Sequence, residues 1–289
     1  MQKLTVERTF AAPIEKVWEA WTNPKLLAKW FAPAGMTNSL ATTEVKVGGV
    51  FRYCFVNDKS GTQFYGRGVY KKIVPSTFLS YLDSFTDEDG NDVAASHYGI
   101  PGDEIVETLI EISLTEMGRK TKMTLVMDNY YDESMTKDMV SNWNIMFDKL
   151  SSMNKISVET TVNAPMEEVW EYWINPAHIS RWAFASDDWE AIAKTNDLRV
   201  GGQFETRMQA KDGSEGFDMT GVYTSVKKHE LIEYNMEDGR NVAIVFEKAS
   251  EGIKVTEIFD ADNEYSEEQQ RFGWQAILDN FKKYVELDK

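Results

Sequence analysis

The chain is poor in the residues that most often carry covalent or metal chemistry: one cysteine, Cys54, and three histidines, His97, His178 and His229, in 289 residues. A lone thiol cannot close an internal disulfide, and Met1-Gln2-Lys3-Leu4-Thr5-Val6-Glu7 runs straight into alternation with no apolar leader core. A cytoplasmic protein is expected. Positive charge is also scarce, with 31 Lys and Arg against 47 Asp and Glu for a net charge of -16. That balance disfavours nucleic acid and anionic lipid, both of which require local positive potential. No run of about 18 apolar residues occurs, so no membrane-inserted helix is expected.

Motifs that would name a reaction are missing as well. There is no His-Glu-x-x-His, Cys-x-x-Cys or Gly-x-Ser-x-Gly, and no phosphate-binding glycine loop. The histidines fall on different elements, His178 after a helix and His229 in a turn, which argues against a three-histidine metal site. Cys54 has no histidine near it in sequence and is read as a structural or surface thiol rather than a nucleophile. No cofactor, metal or catalytic residue is assigned.

What is present is a repeat. Ala12-Pro13-Ile14-Glu15-Lys16-Val17-Trp18 returns as Ala164-Pro165-Met166-Glu167-Glu168-Val169-Trp170, and both copies run on to Asn-Pro, at Asn23-Pro24 and Asn175-Pro176. The register continues through Trp30 and Trp182, Phe51 and Phe204, Gly68 and Gly221, Tyr70 and Tyr223, Tyr81 and Tyr234. Such a period sets two domains, expected over residues 1–152 and 153–289 with a linker at Ser151-Ser152-Met153-Asn154. Each half is long enough to bury about two thirds of its unfolded surface and needs no metal or disulfide.

Within the first copy, residues 4–10 alternate as a strand. A helix follows with Pro13 at its first position and Ile14, Val17, Trp18 and Trp21 on one face, and a short second helix spans residues 26–31. Strands are expected at residues 50–57, 63–73, 78–82, 104–114 and 120–127, after a bend at Gly48-Gly49. Asp132 caps a final helix whose stripe is Met139, Val140, Trp143, Met146, Phe147 and Leu150. In the second copy Ser266 and Gln269 form a capping box before the stripe Trp274, Ile277, Phe281 and Tyr284. The fold class is α+β: in each half, a curved antiparallel sheet, two short helices after the first strand and a long terminal helix laid on the sheet.

Two differences separate the copies. The first is about twenty residues longer between Tyr81 and Met123, in an insertion at about residues 83–103 that contains Asp87-Glu88-Asp89-Gly90-Asn91-Asp92, His97, Tyr98 and Pro101-Gly102. It is either a lid over the sheet or a solvated hairpin tip. Glu257 also replaces Leu125 on the alternating face with Val255 and Phe259. If that face is internal, the second half buries a carboxylate that needs a partner, which makes it a ligand-recognition candidate; a shifted register would place it in solvent.

The concentration of Tyr and Trp on inward positions points to a lined space, because their polar atoms prefer a partner, although the same rings serve equally as core. The ligand-binding candidates are Trp30, Phe51, Tyr53, Phe55, Phe64, Tyr81, Trp143 and Phe147 in the first copy and Phe204, Phe217, Tyr234, Glu257 and Trp274 in the second. Thr206 and Met208 replace two of the aromatics, so the two interiors differ chemically.

Pro13-x-Glu15-x-Val17-Trp18, Asn23-Pro24, Lys29-Trp30-Phe31-Ala32-Pro33 and Val47-Gly48-Gly49 resemble the bacterial proteins related to the activator of heat shock protein 90 ATPase, in the START-like or SRPBCC superfamily. Asp197-Leu198-Arg199-Val200-Gly201-Gly202 and Gly273-Trp274 carry the resemblance in the second copy. It implies a helix-grip (START-like, Bet v 1-like) fold in each half, a cavity between sheet and helix, and a stress-response context. Glu44-x-Lys46 departs from the Asp-x-Arg form, so the ion pair of that motif is expected to change in the first copy. The leading functional reading is a non-enzymatic binding protein for a small hydrophobic or aromatic molecule. The alternatives are a chaperone-associated interaction module and a cyclase- or hydrolase-like enzyme using Glu257 or His97 as acid or base.

Overall fold

Alternation and capping decide where the elements fall. In a computed structural model, residues 2–130, 132–262 and 264–287 are described, and the chain separates into two compact units, Met1–Asn154 and Lys155–Lys289. The first contains β1 (Gln2–Phe10), α1 (Ile14–Thr22), α2 (Pro24–Trp30), β2 (Met36–Thr43), β3 (Val50–Asn57), β4 (Gln63–Val74), β5 (Phe78–Thr86), β6 (Thr108–Met117), β7 (Lys120–Asn129) and α3 (Glu133–Ser152). The second contains β8 (Lys155–Val162), α4 (Met166–Ile174), α5 (Pro176–Trp182), β9 (Trp189–Asn196), β10 (Gln203–Ala210), β11 (Gly216–Lys227), β12 (Leu231–Met236), β13 (Asn241–Ala249), β14 (Gly252–Asp260) and α6 (Glu267–Leu287). Each unit has one antiparallel sheet of seven strands, ordered β1-β7-β6-β5-β4-β3-β2 and β8-β14-β13-β12-β11-β10-β9.

Helix boundaries follow the expected chemistry with small shifts. Pro13 is the cap rather than the first helical residue, and Asn23 both ends α1 and caps α2 through a bond from Lys25 N–H. Asp132 accepts from Met135 N–H, and Ser266 and Gln269 bond reciprocally as the capping box. α3 runs through Ser151 and Ser152, which leaves only Met153 and Asn154 before β8.

The strand expectations need three corrections. β2 and β9 are additional to the expected strands: they are edge strands, and in β2 only Asn38 and half-buried neighbours face inward, so no apolar alternation marks it. β6 begins at Thr108 rather than at residue 104, and residues 101–107 are exposed. β5 continues past Leu82 to Thr86, which carries Asp83 and Phe85 onto the face that already holds Tyr81.

Gly48 and Gly201, at φ +78° and +80°, let the chain turn back so that Tyr70 and Tyr223 each exchange two backbone hydrogen bonds with a Gly-Gly pair. The ion pair beside that turn is present in both units, Lys46 with Glu44 at 2.5 Å and Arg199 with Asp197 at 2.9 Å, so the changed motif keeps its pairing.

The core of each unit lies between the concave face of the sheet and the terminal helix. Trp143, Met146, Phe147 and Leu150 of α3 are buried in the first; Leu278, Phe281 and Val285 of α6 are buried in the second. The repeated tryptophans tie the short helices together. Trp30 donates its indole N–H to Ala20 O at 2.9 Å and Trp182 donates to Tyr172 O at 3.0 Å, and their rings meet Phe147 and Phe281.

Candidate functional site

On the concave face of the first unit, Phe51, Tyr53 and Phe55 of β3 stand opposite Gly68, Gly66 and Phe64 of β4. The two glycines are where the rings need room: a β-carbon on Gly68 would fall inside the ring of Phe51, and one on Gly66 would strike the Tyr53 phenol. Trp30, Phe51, Tyr81 and Phe147 are fully packed, and Tyr53 and Trp143 nearly so. The void left among Trp21, Leu27, Phe31, Phe51, Tyr70, Leu79 and Tyr81 is about 10 Å³, the scale of one water molecule. Tyr81 Oη is buried with no hydrogen-bond partner among the described residues. Most of the first unit's aromatic candidates are therefore core.

Toward the open end of the same face the packing loosens. Phe55, Phe64 and Phe85 are half-buried, as is Asp83, which sequence reasoning missed. The Tyr53 hydroxyl donates to the Asp83 carboxylate, 3.2 Å from each oxygen. Burial pushes the Asp83 pKa up to about 7, with the Tyr53 hydrogen bond pulling against it. The period-2 rule applied one step beyond Tyr81 would have placed this carboxylate inside.

The insertion is neither a free lid nor a solvated tip over its whole length. Asn91 O and Asp87 N–H close a tight turn, Asp92 bridges to Thr86, and Val93 N–H bonds Phe85 O, so the segment begins with a single bridge beside the end of β5. Asp92 pairs with Arg67 at 2.5 Å and accepts from Ser84, on the convex face. A single turn of 3-10 helix, Ala95–Tyr98, then brings Tyr98 over the end of the sheet. Its hydroxyl donates to Thr86 O at 2.5 Å and accepts from Tyr65 N–H at 3.1 Å, standing in for a ladder bond, while its ring meets Phe64 and Phe85. Cys54, on the convex side, is 1% exposed, which removes the surface-thiol reading.

Among the described residues the second unit has no such strap. Phe217 occupies the place of Phe64 but is 53% exposed, its ring touching only Trp189 at 6.2 Å among the described aromatics. Thr206 replaces Tyr53, and Met219 replaces the glycine beneath it. Phe204 keeps its position over Gly221 and packs edge-on against Tyr234, 4.8 Å between centroids. Trp274 of α6 stacks on Phe259 at 3.9 Å.

Glu257 lies on the concave face between Ile244 of β13 and Val158 of β8, and is 5% exposed, so the internal register holds. It has no hydrogen-bond or ion-pair partner among the described residues; burial alone pushes its pKa up to about 8. The phenol of Tyr234 is raised first by its own burial and then by the nearby Glu257 charge.

The histidines do not converge. His97 packs against Tyr98, His178 shares a 2.9 Å hydrogen bond with the Tyr284 hydroxyl and stacks on Tyr172, and His229 sits in the β11–β12 turn against Trp170. No metal-binding cluster occurs among the described residues, and no helix among them is long and apolar enough to cross a membrane.

A family model described as Activator of Hsp90 ATPase homolog 1-like protein matches residues 11–155 and, a second time, residues 163–286. The chain belongs to this family. Each unit is a START-like domain with the helix-grip fold of the family. Among solved structures, the AHSA1-like protein from Aeromonas hydrophila is 46% identical over 46% of this chain and 93% of its own, with a TM-score of 0.45. A protein from Cytophaga hutchinsonii is 50% identical over 47% of this chain and 94% of its own, at 0.42. One from Chromobacterium violaceum is 24% identical over 52% and 95%, at 0.44. No curated protein matches the chain. Family membership gives a ligand-binding or interaction module; the copy-specific carboxyl groups, Asp83 and Glu257, are features of this chain's own residues.

Proposed function

We propose that the second domain binds a small, largely apolar molecule on its concave face, and that Glu257 meets the one polar atom of that ligand. The observation that carries this reading is a carboxyl group 5% exposed with no partner among the described residues. Leaving such a group unpaired costs stability, a cost that a purely structural position would avoid with leucine, as Leu125 does in the first unit. With its pKa about 8 the group is protonated at neutral pH and donates, so the ligand presents a neutral hydrogen-bond acceptor such as a carbonyl or phenol hydroxyl oxygen. The half-buried Phe204 and Trp274 and the exposed Phe217 supply apolar wall and entrance. The first domain's packed interior serves as scaffold in this reading, and the protein acts by binding, in the cytoplasm.

The test is a ligand-observed NMR screen of small aromatic carbonyl and phenol compounds against the full chain and its Glu257→Leu variant. Hits that bind the parent chain and lose the interaction in the variant are expected. Equal binding to both, or no hit at all, sinks the proposal.

The family description supports a second reading, contact with a heat shock protein 90 chaperone. A purified bacterial chaperone whose ATPase rate is unchanged by saturating amounts of this protein, with no complex on gel filtration, argues against it.

A further inference from the structure

We propose that the open end of the first domain's concave face binds a small organic ammonium ion, with Asp83 as counter-ion and the rings of Phe55, Phe64, Phe85 and Tyr98 as walls. The site is separate from Glu257 and does not depend on that reading.

A carboxylate offers about four acceptor positions. Among the described residues Asp83 receives only the Tyr53 hydroxyl, shared between its two oxygens. Among the described residues no Lys or Arg pairs with it; Arg52 and Arg67, on neighbouring strands, lie on the opposite face and are engaged by Asp89 O and by Asp92. The carboxyl group, ionised above its pKa of about 7, is thus held through Tyr53 at the edge of an aromatic cluster. Tyr53 and Phe55 stack at 4.5 Å, and Tyr98 stands 5.2 Å from Phe64 and 5.8 Å from Phe85, all but Tyr53 half-buried.

Such surroundings select by hydration. An inorganic cation needs several oxygen ligands to replace its water, and one carboxylate cannot supply them. A methylated ammonium carries a diffuse charge in an apolar skin, which ring faces attract and a single carboxylate balances. The net charge of -16 favours approach of a cation from a distance. The second domain lacks the set: Met236 stands where Asp83 does, Thr206 and Met208 replace Tyr53 and Phe55, and nothing corresponds to Tyr98. One site per chain follows.

Isothermal titration calorimetry of the full chain with tetramethylammonium chloride tests this. Saturable binding at one site is expected, with little competition from potassium chloride at matched ionic strength and none from tert-butanol, the uncharged analogue. Asp83→Asn should weaken it roughly tenfold or more, and Phe64→Leu by a smaller factor, since a ring face contributes part of the attraction. No saturable heat, equal displacement by potassium, or undiminished binding in Asp83→Asn overturns the proposal; if that variant fails to fold, undiminished binding in Phe64→Leu does so.

Discussion

The hydroxyl of Tyr53 reaches across Gly66 to the carboxylate of Asp83, 3.2 Å from each oxygen. The reach exists because residue 66 has no side chain. Polar and steric demands are met by one pair of strands, β3 and β4, and the second domain abandons both together by placing Thr206 and Met219 there.

The hydrogen bond stabilises the ionised form of Asp83 and so opposes the effect of burial. Tyr53→Phe should move the Asp83 pKa further up from about 7. Carboxyl-carbon NMR titration of both proteins checks the direction, and an unchanged or lower value contradicts the assigned role.

Two glycine-to-alanine changes should act with opposite signs. At Gly68 the new methyl enters the ring of Phe51, which overpacks the face and costs about 1–3 kcal/mol. Gly273 lies within α6, where an added β-carbon meets nothing within 4 Å, so Gly273→Ala should stabilise by about 0.5–1 kcal/mol. Urea unfolding monitored by tryptophan fluorescence measures both.

Glu257 gives the second domain a pH dependence whose sign is opposite to that of a salt-bridged carboxylate. Its folded pKa, about 8, lies above the ordinary 4.5, so between these values the folded state holds the proton more tightly than the unfolded state. Stability is complete below about pH 4.5 on this group's account and falls as pH rises toward 8, by up to roughly 1.4 kcal/mol per unit. Thermal unfolding at several pH values should show a transition that moves down with rising pH. In Glu257→Gln that slope should flatten, and a slope equal to the parent's refutes the assignment.

The repeat, the capping residues and the inward aromatics were legible because each rests on local spacing. Glu257 was legible only by contrast with Leu125, since a single copy gives no reason to expect a glutamate beneath a helix. Asp83 is hidden because aspartate reads as a strand breaker, so the local pattern ends β5 at Leu82, just before it. β2 and β9 escaped notice as edge strands with little apolar alternation. The path of the insertion depends on Tyr98 meeting Tyr65 and Thr86, a long-range contact that no local pattern encodes.

In the first domain the ammonium group of Lys149 donates to the carbonyls of Ala32, Pro33 and Met36 at 2.9, 3.3 and 3.3 Å; in the second, the amide of Asn280 donates to Phe184 O at 2.7 Å. Ala32 and Phe184 follow the two repeated tryptophans by the same two residues. A backbone carbonyl is present whatever residue bears it, so mutation alters only the donor. After duplication the acceptor at this corner stayed fixed, while the helix opposite supplies its donor from different positions along its length, an ammonium group in one copy and an amide in the other.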